Sequence, residues 1–172
     1  MNQVQSNSQK ITPCLWFDHQ AEEAANFYTS LFRNSRVGTI TRYGEGALMP
    51  KGSVLTVTFQ LDGQEFLALN GGPAFKFTEA ISLMVNCETQ EEVDRMWDAL
   101  SEGGEKSRCG WLKDKYGLSW QVVPSIIGEL MKDADTEKTN RVMQAIMQMD
   151  KLDIETLKRA AAGERISQAS TT

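Results

Sequence analysis

Histidine occurs once in this chain, at His19, and cysteine only three times, at Cys14, Cys87 and Cys109, with no close pairing. A single imidazole excludes a His-rich metal centre. An odd number of scattered thiols argues against a disulfide framework and for reduced cysteines in the cytoplasm. Basic residues are also in short supply: 18 Lys plus Arg against 23 Asp plus Glu give a formal net charge of −5. The chain therefore lacks the cationic footprint with which nucleic-acid binders neutralise phosphates. No apolar run approaches the roughly 20 residues that cross a bilayer. The first nine residues are polar and lack the apolar centre of a secretory leader. These absences predict a soluble cytoplasmic protein with neither nucleic acid nor membrane as partner.

What is present is a regular alternation of strand and helix patterns within 172 residues, enough for one domain with an appendage. Residues 1–9 are rich in Asn, Gln and Ser and are expected to be disordered. Ile11 to Asp18 is an apolar run of strand length. Ala21, Ala24, Ala25, Tyr28, Leu31 and Phe32 then recur at helical spacing. Ser35 to Tyr43 reads as a strand, broken by Gly44-Glu45-Gly46. Ser53 to Leu61 alternates apolar and polar residues, and Asp62-Gly63 turns it back into Gln64 to Leu69.

The same order then recurs. Ile81 to Val85 is an apolar strand, and Val93, Met96, Trp97 and Leu100 mark a second amphipathic helix, stopped by Gly103-Gly104. A short strand is expected near Lys106 to Cys109. Trp111 to Asp114 and Leu118 to Val123 form a last hairpin around Lys115-Tyr116-Gly117. Leu15-Trp16-Phe17-Asp18 overlays Leu83-Met84-Val85-Asn86 at an offset of 68, and Glu22-Glu23-Ala24 overlays Glu91-Glu92-Val93 at 69. Such internal repetition predicts two copies of one supersecondary unit. After Pro124 the pattern turns helical: one short helix over Ile126 to Lys132, then one or two over Thr139 to Ala162. Val142, Ala145, Ile146 and Met149 share a face of the latter, and Met143, Met147 and Met149 make it apolar nearly all round, so it must bury itself against the domain or a partner chain.

Three pieces, "ITPCLWFDHQAEEAANFYTSLF", "GWLKDKYGLSWQVVP" and "RVMQAIMQMDKLDIETL", carry a family resemblance. The chain from about Lys10 to Ala162 resembles the PhnB-like, 3-demethylubiquinone-9 3-methyltransferase-like branch of the vicinal-oxygen-chelate (glyoxalase/bleomycin resistance/dioxygenase) superfamily. The resemblance implies an α+β fold of two βαβββ modules forming a partly open mixed β-cup, with C-terminal helices, and commonly a homodimer. The expected organisation is a disordered 1–9, a domain over 10–125 with modules 10–73 and 78–125, a helical extension over 126–165 and a loose tail over 166–172.

Metal-dependent members of that superfamily hold a divalent ion through four side chains, from the first and last strand of each module. Carried over to this sequence, those positions are Pro13 or Cys14, Asn70 (with Glu65 on the same strand), Ala80 or Ser82 (with Glu79 just outside), and Gln121. Pro13 and Ala80 offer no donor, and a divalent ion needs several hard oxygens or imidazoles converging on it. No metal and no cofactor is therefore expected. Asn70 and Gln121 are read as amides that hydrogen-bond a small polar ligand, with Trp111 at the pocket mouth. Cys14 is a further candidate for that pocket, although a cysteine on an apolar strand more often packs in a core. His19 reads as an exposed turn residue and Trp120 as a residue packed under a helix. A methyltransferase would call for a doubly wound sheet with a glycine-rich first turn, and neither Gly44-Glu45-Gly46 nor Asn70-Gly71-Gly72 opens a helical pattern. Small-molecule binding without a metal is thus the leading expectation, with no assigned activity. Glyoxalase-type lyase, isomerase or dioxygenase chemistry and a dimeric interaction module are the alternatives.

Overall fold

The computed structural model describes residues 9–47, 49–132 and 134–164. The disorder expected of residues 1–8 and the loose tail expected of 166–172 lie outside the described residues. Gln9 belongs to the fold: its side chain donates to Glu65 O and accepts from Glu65 N, both at 3.0 Å, as a neighbouring strand residue would.

Two compact units divide between Lys76 and Phe77. In the first, β1 (Cys14–Phe17), α1 (Ala21–Leu31), β2 (Arg36–Arg42), β3 (Val54–Leu61) and β4 (Gln64–Asn70) follow one another. The four strands lie in the order β1-β4-β3-β2, with β1 and β4 parallel and the other pairs antiparallel. Side chains alternate across each strand, so Leu15, Phe17, Val57, Phe59, Phe66 and Ala68 face α1 and are buried with Ala21, Ala24, Ala25 and Tyr28. The first strand is shorter than its apolar run, because the ladder to β4 begins with the Leu67 N–H donating to Pro13 O at 2.9 Å.

The second unit repeats this with β5 (Ser82–Cys87), α2 (Gln90–Ser101), β6 (Glu105–Lys106), β7 (Trp111–Lys113) and β8 (Ser119–Pro124), in the order β5-β8-β7-β6. Again the first and last strands are parallel. The two βαβββ modules, each with a mixed four-stranded sheet, make the α+β architecture that the resemblance implies. The short strand expected up to Cys109 ends at Lys106, because Cys109 and Gly110 both adopt positive φ and turn the chain out of the sheet. At Gly110 a Cβ would lie 2.6 Å from Val122 O, so only glycine fits.

The β7–β8 hairpin is organised by one buried carboxylate. Asp114 Oδ1 accepts from Tyr116 N at 2.8 Å and Leu118 N at 3.0 Å, and Oδ2 accepts from Trp120 Nε1 at 2.8 Å. The Asp-Lys-Tyr-Gly turn is thereby tied to the tryptophan beneath the helix, and both side chains are nearly inaccessible.

Three helices complete the second unit: α3 (Ile126–Leu130), α4 (Thr136–Gln148) and α5 (Ile154–Ala162). Asp135 and Asp153 cap α4 and α5 by accepting backbone N–H groups of their first turns. Val142, Ala145, Leu157 and Ala160 form the helical core, with Ile146 and Met149 packed against it. The helix is less uniformly apolar in its packing than the three methionines imply: Met143 and Met147 point outward, 42% and 59% exposed. The break between α4 and α5 is the docking segment. Met149 O and Asp150 O accept from Cys109 N and Gly110 N, each at 2.7 Å. Gln90 donates to Leu152 O at 3.2 Å and accepts from Ile154 N at 2.8 Å, and Leu152 is 1% exposed.

Candidate functional site

Helix α1 begins at Gln20, which offers no side-chain cap. A residue from β4 supplies one: Asn70 Oδ1 accepts from Ala21 N at 2.8 Å, while its Nδ2 donates to Val54 O at 3.0 Å. Asn70 is 4% exposed on the helix-facing side of its sheet. This corrects the expectation that it faces a ligand. The strand registers give the reason. Asn70 pairs with Phe17, and Phe17 overlays Val85, which pairs with Val122. The counterpart of Asn70 in the second module is therefore Val122, and the counterpart of Gln121 is Leu69. An alignment one residue out of step moves a side chain to the other face of its strand.

The face of each sheet turned away from its helix follows from the same registers. In the first module it carries Cys14, Trp16, Thr56, Thr58, Leu67 and Leu69. Trp16 lies flat over Gly71, where a Cβ would meet the indole at 2.2 Å, and its Nε1 donates to Gly72 O at 2.9 Å. Phe75 packs edge-on against it at 4.9 Å. Cys14 sits exposed on the edge strand, yet the strand partly desolvates its thiol and raises its pKa, so it stays protonated at neutral pH. Asn70 and Cys14 thus lie on opposite faces of one sheet.

In the second module the equivalent positions are Ser82, Met84, Trp111, Lys113, Ser119 and Gln121. Trp111 and Gln121 are direct cross-strand partners and share this face. Gln121 Nε2 donates to Ser82 Oγ at 2.8 Å. Beside them a cavity of about 200 Å³ is lined by Glu79, Lys106, Trp111, Lys113 and Ser119, among others. Ser119 is 1% exposed, and its hydroxyl has no hydrogen-bond partner among the described residues. A buried hydroxyl without a partner costs about 1–3 kcal/mol, so its place on a cavity wall needs a reason. Lys113, directly across the ladder from Ser119, is held by Glu79, Nζ to Oε1 at 2.5 Å. That contact lowers the pKa of Glu79 and raises that of Lys113, so both are charged at neutral pH.

The sequence expectation put Trp111 and Gln121 in a ligand pocket. The structure puts the two on one face, with Trp111 on the cavity wall and Gln121 beside it, and groups with them Ser119, Lys113 and Glu79, which the sequence did not bring together. A signal for Ser119 exists: once Trp120 is placed under the helix, both its neighbours must face the other way. His19 is an exposed turn residue beside Asp18, with Nδ1 and Oδ2 3.5 Å apart.

The divalent ion of glyoxalase-type enzymes does not fit the residues present. The first and last strands present a protonated thiol, two leucines and a single carboxylate, Glu65, in one module, and two hydroxyls and an amide in the other. Among the described residues no three or more His, Cys, Asp or Glu side chains converge as ligands would. No helix in the described residues is long and apolar enough to cross a membrane.

A sequence model of the family described as "3-demethylubiquinone-9 3-methyltransferase" matches residues 9–123. A PhnB protein from Bacillus cereus is 44% identical, with a TM-score of 0.63, the match covering 67% of this chain and 99% of that one. A protein from Pseudomonas aeruginosa is 20% identical, with a TM-score of 0.56 and coverage of 68% and 98%, a likeness of fold. No curated protein matches. The family match ends before α3, so the three C-terminal helices lie beyond it.

Proposed function

This chain belongs to the 3-demethylubiquinone-9 3-methyltransferase family, PhnB-like proteins within the glyoxalase/bleomycin resistance/dioxygenase fold group, and from that premise we propose that it binds a compact polar organic molecule without a catalytic metal. The ligand lies on the second module, in the cavity walled by Trp111, with Ser119 and the neighbouring Gln121 as its hydrogen-bonding groups. The observation that carries this reading is the buried hydroxyl of Ser119, a residue of the cavity wall, which has no hydrogen-bond partner among the described residues. Polar groups inside folded proteins are satisfied with few exceptions, and an exception beside a cavity marks a place where a ligand completes the bonding. At about 200 Å³ the cavity is smaller than the few hundred Å³ common for drug-sized ligands, which favours a small metabolite.

The family name does not by itself bring methyl transfer to this chain. The sheets are mixed and four-stranded rather than doubly wound, Gly71 is engaged under Trp16, and Gly44-Glu45-Gly46 leads into a strand. None of these glycines opens a helix at which a nucleotide cofactor would be seated. Metal analysis of the purified protein, with thermal unfolding in the presence and absence of chelator, tests the reading. The expected result is substoichiometric metal and an unchanged unfolding temperature. Stoichiometric zinc, nickel, manganese or iron would overturn it. A homodimer, common in the superfamily, remains part of the proposal, and sedimentation equilibrium checks it.

A further inference from the structure

The cavity on the second module is lined by the donors Ser119 and Lys113 and by the carboxylates of Glu79 and Glu105. Ser119, almost fully buried, and Lys113, with its side chain 34% exposed, are direct partners across the β7–β8 ladder, so their side chains emerge side by side on one face. Trp111 stands two residues along β7 on the same face and gives the cavity an aromatic wall. The carboxylate of Glu79, by contrast, is 62% exposed and reaches Lys113 from the loop before β5. Glu105 is likewise exposed, at the edge of the sheet. Lys106, the other cation on the wall, lies 3.9 Å from Asp98 and points toward α2.

We propose that Lys113 and Ser119 form a seat for the carboxylate of the ligand, with Glu79 as its internal stand-in when the seat is empty. The inference rests on the binding function proposed above and names its ligand class: a small carboxylic acid with a flat or apolar body. One carboxylate oxygen accepts from the Lys113 ammonium and the other from the Ser119 hydroxyl. The body of the ligand then lies against Trp111. Charge-assisted bonds of this kind are the strong ones in a partly desolvated site. The stand-in keeps the charge of Lys113 paired in the free protein, while the Ser119 hydroxyl has no hydrogen-bond partner among the described residues. An exposed ion pair such as Glu79–Lys113 is worth little, so a ligand carboxylate that also engages Ser119 displaces it readily.

Amide NMR titration of the full chain with benzoate, and with benzamide and benzylamine as neutral and cationic controls, tests this. Benzoate is expected to shift the resonances of Lys113, Ser119 and the Trp111 indole, and the controls to leave them in place. Lys113→Met should weaken benzoate at least about tenfold and Ser119→Ala about fivefold. Lys113→Arg should keep the preference for the acid, and Glu79→Gln should tighten binding about threefold by removing the competitor. Benzamide or benzylamine binding the same residues as well as benzoate would overturn the carboxylate seat while leaving the cavity a binding site. No shift at Ser119 or Trp111 with any of the three at millimolar concentration would overturn the binding function itself.

Discussion

The two modules have the same strand order, yet they secure their helices by different means, and the difference decides which residues are left for a ligand. In the second module α2 is capped locally: Thr89 accepts from Glu92 N at 3.2 Å, and the Glu92 carboxylate accepts from Glu88 N at 2.9 Å. Thr89 thus caps a first-turn N–H from within its own segment, and Glu92 holds the residue before the cap, while the facing position on β8 is an ordinary core residue, Val122. In the first module Gln20 caps nothing, and β4 provides Asn70 instead. The outward faces differ as well. Leu67 and Leu69 occupy the first module where Ser119 and Gln121 occupy the second, and Thr58 stands where Lys113 does. A single scaffold thus carries two leucines on the last strand of one copy where the other has a serine and a glutamine beside a cavity.

Breaking the parts found only in the second module should cost most. Leu152→Ala removes the buried anchor of the helical extension and should lower stability by about 3 kcal/mol in urea unfolding, as large-to-small core changes do. Asp114→Ala orphans Trp120 Nε1 and two backbone N–H groups, and a loss of about 2–3 kcal/mol is expected from the same measurement. The hairpin of the first module has no such carboxylate to lose: Asp62, at positive φ, sits in a solvent-exposed turn.

The capping difference can be sharpened by a matched pair. Asn70→Val should destabilise by about 2 kcal/mol, because it uncaps α1 and also leaves Val54 O without its donor. Thr89→Ala should lose only about 1 kcal/mol. Equal losses would mean that the two helices are held alike. A smaller effect is expected in acid. Lys151 and Gln90 hydrogen-bond the Asp94 carboxylate and hold its pKa below the ordinary 3.8. A depressed carboxyl contributes stability above its unfolded value, and the contribution is lost as pH falls through the folded one. Hydrogen-exchange protection factors at residues 149–154, corrected for the intrinsic pH dependence of exchange, should therefore fall below pH 3.8 before those of the rest of the module.

The duplication was legible because its signals are local. Apolar periodicity placed the buried faces of α1 and α2, and Asp62-Gly63 and Lys115-Tyr116-Gly117 marked the hairpins. The face on which Asn70 lies was not legible, since a one-residue slip between two apolar strands leaves both alignments plausible while reversing the side chain. The signal that resolves it is weak: Gln20-Ala21 opens a helix without a capping residue, so something distant must serve. Lys113 and Glu79 were hidden for another reason. They are 34 positions apart in sequence, and nothing short of the β5–β8–β7 ladder brings the loop before β5 to the end of β7. Gln90, a surface glutamine by composition, likewise becomes the clasp of the extension only once α5 is docked.

The claim on which the rest depends is that the Ser119 hydroxyl has no structural role and is kept for a ligand. Equilibrium urea unfolding of Ser119→Ala against the unsubstituted chain, with no ligand added, tests it most directly. Stability is predicted to hold or to rise by about 1 kcal/mol, since an unpartnered buried hydroxyl is removed. A loss of more than about 1 kcal/mol would show that the hydroxyl has a partner within the fold, and would contradict the account.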